Sequence, residues 1–323
     1  LATSILTAAV VTVSSGSAIA SEAVDTNTIH FLIPGGPGGG WDGTARGTGE
    51  ALLKSGKITT ASYQNMSGGG GGKAIAYMIE TAAKQTNTLM VNSTPIVVRS
   101  LTKVFPQSFR DLKPVAGTIA DYGAFVVRAD SKYTKWQQVI TDFQANPRKV
   151  KFSGGSARGS LDHLVAAMAI KSGDADSKRL VYVAYDAGGK AMAGLLSGET
   201  AILSTGVSEA LAMANSGEVR ILAITSPERL NAIKAVPTLT EMGYDVVFAN
   251  WRGFFAAPTM SNEKVKAYAQ LLGAVQETPE WHEIKERNGW VNLYNPDADF
   301  YKFLEKQELI IGELMRELGF LKK

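Results

Sequence analysis

The sequence predicts a two-lobed α/β protein built on doubly wound sheets, and three observations carry that expectation. Strand-like apolar runs and helix-like runs alternate from one end of the chain to the other, the pattern of βα units around mostly parallel sheets. The 323 residues exceed one ordinary domain and suit two lobes of about 100–200 residues each. Each half also carries a glycine-rich turn between a strand-like and a helix-like run.

The elements follow in order. Thr28 to Ile33 reads as a strand, the glycine run after it as a loop, and Thr44 to Lys54 as a helix. A strand near Ala61 to Asn65, a second glycine run at Gly68 to Gly72, a helix from Lys73 to Lys84 and a strand at Leu89 to Asn92 complete the first set. Two β-rich runs, Pro114 to Ile119 and Gly123 to Val127, lead out of the first lobe. Strands are then expected at Val150 to Phe152, Leu180 to Val183, Ala201 to Leu203 and Arg220 to Thr225, with helices at Leu161 to Lys171, Gly188 to Leu196 and Ser208 to Asn215. Phe248 to Ala257 reads as the return crossing, and Asn262 to Glu277 and Pro296 to Leu318 as helices packing back on the first lobe. Two crossings define a hinge, with residues 21–120 and 253–323 as lobe 1 and 121–252 as lobe 2.

Composition narrows the chemistry. Leu1 to Val13 is apolar and leads to Ala18-Ile19-Ala20, the core and small-residue cleavage pattern of a secretory leader, with the cut expected near Ala20 and export to the periplasm. A membrane anchor is the rival reading, but the run is shorter than the ~20 residues a span needs. The chain has no cysteine, which removes disulfides, thiol catalysis and cysteine-bound metal. A net charge of +3 without a long basic run gives no sign of nucleic acid and permits small anions.

The first glycine-rich loop runs from Pro34 to Asp42. Glycines let backbone approach a ligand closely, and the first N–H groups of the following helix lack intrahelical partners, so the turn suits an anion. Asp42 is placed to cap the helix and to pair with Arg46 one turn on; a tight turn with a cap and no ligand is the plain alternative. Ser153 to Ser160 repeats the design before a helix carrying His163. Its hydroxyls suit a ligand or the helix cap, and His163 is expected to stabilise the loop rather than catalyse. Asn92-Ser93-Thr94 and Tyr185-Asp186-Ala187-Gly188-Gly189 end strands of the two lobes, where open sheets collect ligands.

Enzymatic readings find no machinery. Gly38, Gly40 and Gly43 match the dinucleotide fingerprint, but the second strand ends in Gln64 and Asn65 rather than an acid. Ser67 to Ala74 imitates a phosphate-binding loop without its first glycine or its magnesium-binding hydroxyl. No Gly-x-Ser-x-Gly elbow exists, and His30, His163 and His282 have no metal-ligand spacing. Neither a cofactor nor a metal is expected.

Five separated motifs, in order, resemble one family. They are Pro34 to Arg46, Ser156 to Leu164, Leu195 to Glu199, Val236 to Leu239 and Asn250 to Phe254, and the chain is similar over essentially its whole mature length to the Bug-type substrate-binding components of tripartite tricarboxylate transporters. The resemblance implies a Venus-flytrap protein of two Rossmann-like lobes that captures a small carboxylate, such as citrate or another organic acid, and presents it to the large and small membrane subunits. It also implies that Gly38, Gly39, Gly40 and Asp42 of one lobe and Ser156, Gly159, Ser160 and His163 of the other hold the ligand. Thr94, Tyr185, Gly188 and Trp41 join that set, with Trp41 and Trp251 each balanced between the ligand's far end and the core. A bulky residue at Gly40 is expected to weaken binding and spare the fold. A monomer is expected. A sensory binding protein sharing the same pocket, or an exported carboxylate-processing enzyme, are the alternatives.

Overall fold

The computed structural model describes residues 24–322; the expected leader and its cleavage point lie outside them. The first lobe begins with strand β1 (Thr28–Ile33), helix α1 (Gly40–Lys54), β2 (Thr60–Asn65), α2 (Gly72–Glu80) and β3 (Thr88–Ser93). β1 pairs in parallel with both β2 and β3. Every residue of β3 is buried, as befits a strand covered on both faces. Helix α3 (Thr94–Thr102) follows at once, with Pro95 in its first turn, where proline's missing N–H costs nothing.

The chain leaves this lobe on β4 (Lys113–Arg128), a single strand of 16 residues where the sequence suggests two. Shifts of register at Pro114/Ala116, Gly117/Ile119 and Phe125/Val126 break the alternation that marks one long strand in sequence. In its first part, up to Tyr122, β4 pairs with β9 (Ala249–Ala256) and β10 (Val291–Pro296). From Gly123 onward it pairs with β7 (Ile202–Gly206) and β8 (Val219–Ile224). The second lobe adds α4 (Trp136–Ala145), β5 (Phe152–Gly154), α5 (Leu161–Lys171), β6 (Tyr182–Ala184), α6 (Gly188–Leu196) and α7 (Val207–Asn215). β5 pairs in parallel with β6 and β7.

The result is a bilobed Venus-flytrap α/β fold with strand order β2-β1-β3-β9-β4-β7-β5-β6. The sheets are mixed rather than mostly parallel. The outer strands are parallel, whereas β4 is antiparallel to all four of its neighbours, because a strand that crosses between lobes meets the returning chain head-on. Helices α8 (Asn262–Val275), α9 (Pro279–Asn288) and α10 (Asp297–Glu317) close the structure. The last does not stay on the first lobe: Lys171 of α5 pairs with Glu317, and Phe320 sits edge-on to His163 at 4.8 Å. Trp251 on β9 is buried against Phe300 and Phe303, so it belongs to the core and not to a ligand's far end.

Candidate functional site

The two glycine-rich loops face each other across one cavity of about 320 Å³. Gly36, Gly39, Gly40 and Trp41 line it from the first lobe, and Ser156, Ser160, Tyr185 and Gly188 from the second. The approach is close, since a Cβ on Gly36 would stand 3.2 Å from Cβ of Ala187. Both loops sit at the carboxyl ends of parallel strands, the place the fold reserves for ligands.

Five of the expected residues support this arrangement from behind instead of lining it. Asp42 lies inside the first turn of α1, not at its cap, because the helix begins at Gly40. Its carboxylate accepts from the Gly38 N–H at 3.1 Å, Arg46 Nε at 2.9 Å and Asn65 Nδ2 at 3.0 Å. That bond takes up the Gly38 amide as well. Gly159 donates its N–H to His163 Nδ1 at 2.9 Å. The imidazole stacks on Tyr182 at 4.6 Å, and burial, then the charge of Arg158, hold its pKa down to about 4. His163 is thus a neutral brace for the loop. Thr94 is fully buried at the start of α3, between the lining residues Ser93 and Pro95 but not itself on the wall, and its hydroxyl has no partner among the described residues.

The lining residues also divide into those already engaged and those left free. Ser156 Oγ accepts from the Asp162 N–H at 2.8 Å, near the start of α5, so it serves the helix. Ser160, 2% exposed, has no partner for its hydroxyl among the described residues. Trp41 donates from Nε1 to Ser93 Oγ at 2.9 Å and forms a cavity wall. The Tyr185 hydroxyl donates to Glu199 at 2.6 Å, and burial together with that carboxylate pushes its pKa up to about 12. The Gly40 N–H, one of the groups expected to meet a ligand anion, donates at 2.9 Å to Glu209 Oε1, a carboxylate reaching over from α7 of the opposite lobe.

Charged residues that sequence reasoning passed over complete the site. Arg99 of α3 lines the cavity and is 7% exposed. Among the described residues its guanidinium forms no ion pair and its Nε has no hydrogen-bond partner. Burial alone lowers its pKa, yet an arginine stays charged in proteins. A Cβ on Gly70, which has φ +62°, would run into this guanidinium, so the second glycine run, read in sequence as a failed phosphate loop, makes room for a cation. One signal was available: Arg99 interrupts the apolar run Pro95 to Leu101.

Across the cavity stand Asp162 and Glu209. Burial, then the nearby Glu209 charge, push Asp162 up to about 7, against the lowering effect of the Ser156 hydroxyl and the amides of Ser156 and Gly155. Arg252 lines the floor but is taken by Asp121 at 2.6 Å, with the pair 2% and 0% exposed, and it also donates to Thr44 Oγ1 at 3.0 Å. Asp121 in turn accepts from Ser208 Oγ at 2.6 Å. This buried node ties α1, β4, β9 and α7 together where the strands cross. It also overturns one expectation: a Cβ on Gly40 would enter the Arg252 guanidinium, so enlarging that glycine disturbs the fold as well as the site.

Among the described residues no group of three or more His, Asp or Glu side chains is placed to hold a metal ion. Residues 59–320 match the family model described as the tripartite tricarboxylate transporter family receptor. The chain is 28% identical over 251 residues to a UPF0065 protein from the tcbD-tcbE intergenic region of Pseudomonas sp. strain P51, covering 76% of this chain and 72% of that one. It is 28% identical over 253 residues to protein BugT of Bordetella pertussis, covering 76% and 75%. In fold it is similar to an R. palustris protein solved with adipate, with a TM-score of 0.82 at 19% identity over 90% of this chain and 97% of that one. MatC of Rhodopseudomonas palustris, solved with bound malate, gives 0.77 at 17% identity over 89% and 98%. The chain therefore belongs to the tripartite tricarboxylate transporter receptor family, the periplasmic solute-binding proteins of that transport system, and is a binding protein rather than an enzyme.

Proposed function

We propose that the protein captures a small organic carboxylate between its lobes and hands it to the large and small membrane subunits of a tripartite transporter. One observation carries the reading: Arg99, 7% exposed and without a counter-anion among the described residues, borders the interlobe cavity of about 320 Å³. A buried charge is costly unless paired, so an anionic guest is the natural partner for this guanidinium. The malate and adipate held by proteins of similar fold belong to that ligand class. Gly39, Gly40, Trp41, Ser156, Ser160, Tyr185 and Gly188 form the proposed wall, while Gly38, Asp42, Thr94, Gly159 and His163 hold it in shape. The assignment of 21–120 with 253–323 to one lobe and 121–252 to the other belongs to the same proposal.

In this mechanism the guest docks on one lobe and closure brings donors of the other onto it. Charge-assisted hydrogen bonds of about 1.5–3 kcal/mol each give micromolar binding once association costs are met. A thermal-shift screen of short organic acids tests it, because a guest that binds only the folded state raises the melting temperature. Arg99→Gln is expected to weaken the best acid by roughly 10- to 100-fold, the equivalent of one charge-assisted contact. A screen in which no carboxylate raises the melting temperature of the wild type refutes the reading.

A further inference from the structure

The two walls of the cavity carry opposite charge. Arg252, at the seam between the lobes, is neutralised by Asp121, which leaves Arg99 on the first lobe as the lining cation without a counter-charge among the described residues. On the second lobe, Asp162 and Glu209 both line the cavity, and neither forms an ion pair among the described residues. Glu209 is held in place by three donors, the Gly40 N–H at 2.9 Å, Thr205 Oγ1 at 2.7 Å and the Gly206 N–H at 3.1 Å. None of these is a cation, and a carboxylate has about four acceptor positions. A Cβ on Gly188 would strike the same carboxylate, so α6 begins with a glycine where the acid meets the cavity. Ser160 also lines the cavity, and its buried hydroxyl has no partner among the described residues. Lys190 pairs with Asp186 at 3.9 Å on the exposed surface, and Arg158 donates to the Tyr182 carbonyl, so neither of these two basic side chains compensates the pair.

We propose that the ligand is dipolar, with a carboxylate set against Arg99 and, at its other end, a protonated amine set against Asp162, Glu209 and Ser160. The proposal rests on the carboxylate reading above and deepens it. A simple dicarboxylate brings its second anion up to two acids, which like-charge repulsion disfavours. A monocarboxylate with an apolar tail leaves those acids uncompensated. An aminocarboxylate answers both walls at once, and a cation between the acids offsets the burial and the Glu209 charge that push Asp162 up to about 7.

Calorimetry at pH 7.5 on the mature chain, with probes matched in length, tests this. At four carbons the probes are butyrate, 4-aminobutyrate and succinate; at five, pentanoate, 5-aminopentanoate and glutarate; at six, hexanoate, 6-aminohexanoate and adipate. At the length that fits best, the amino acid is expected to bind at least 10-fold more tightly than the diacid or the plain acid. Combining Asp162→Asn with Glu209→Gln is expected to erase or reverse that ranking, and Arg99→Gln to weaken all three. If the double variant does not fold, the wild-type ranking decides alone. Diacids binding as tightly as amino acids, or a ranking indifferent to the acid-to-amide changes, overturns the dipolar proposal and leaves the carboxylate reading standing. Failure of all nine probes to bind overturns both.

Discussion

The loop after β1 and the loop after β5 share a local plan and differ in what they leave unanswered. Each follows a parallel strand, is rich in glycine and opens a helix. Around the first, the uncompensated charge is a guanidinium borne by a neighbouring helix; around the second it is a pair of carboxylates. The same backbone device therefore serves walls of opposite sign. Glycine loops set how closely a guest can approach, and side chains from elements far away in sequence set which guest is accepted.

That comparison holds only if the two loops are kept in register by the seam between them, and the largest expected effect lies there. Arg252→Ala leaves Asp121 buried without its cation, and loss of one partner from a buried pair costs about 3–5 kcal/mol. Urea denaturation measures it, and a loss under 1 kcal/mol means the seam does not join the lobes as described.

The two loops should also differ in how they tolerate a methyl group. A Cβ on Gly155 would run into the backbone of Ala187 and Gly188, whereas on Gly39 its nearest neighbour, the Gly36 carbonyl, stands at 3.5 Å. Gly155→Ala is thus expected to cost about 2–3 kcal/mol by overpacking, and Gly39→Ala, at φ −86°, within about 0.5 kcal/mol. Equal melting temperatures for the two variants would erase the distinction between a loop packed on backbone and one with room.

The smallest effect sharpens the charge contrast within the second lobe. His163, held down to about 4, binds fewer protons folded than unfolded between about pH 4 and 6.5, so its contribution to stability grows as pH rises through that window. Asp162, pushed up to about 7, binds more protons folded, so its contribution shrinks from about pH 4 to 7. The two oppose each other in the wild type. Asp162→Asn removes the second, and stability should then rise by about 1–2 kcal/mol from pH 4 to 6.5. A profile no steeper than that of the wild type counts against the buried acid.

Much of the fold was legible because its signals are local. β1 falls at Thr28–Ile33 and α5 at Leu161–Lys171 as read, whereas α1 begins at Gly40, four residues ahead of the expected Thr44, because glycines at a helix start read as loop. Helix α3 escaped notice because it follows β3 without a loop and its proline reads as a break. α9 and β10 also went unread, the latter half exposed and lacking an apolar run. In the site, the glycines and Ser160 were readable from their turn, while the role of Glu209 was not: it meets Gly40 across 169 positions of sequence, and nothing near either residue signals the other. The same holds for Asp121 and Arg252, 131 positions apart. Tertiary charge pairing leaves no periodicity in a chain.

The lobes are joined by strands lying side by side, not by flexible linkers. Since β4 runs without interruption from one sheet into the other and β9 is bonded along it as far as Tyr122, opening the cleft cannot come from a freely swivelling tether. It must come from added twist and bend in a hydrogen-bonded ribbon, most readily near Gly123, where β4 changes partners. Such a spring confines the halves to a narrow arc, so each release returns the same two faces to the membrane partner.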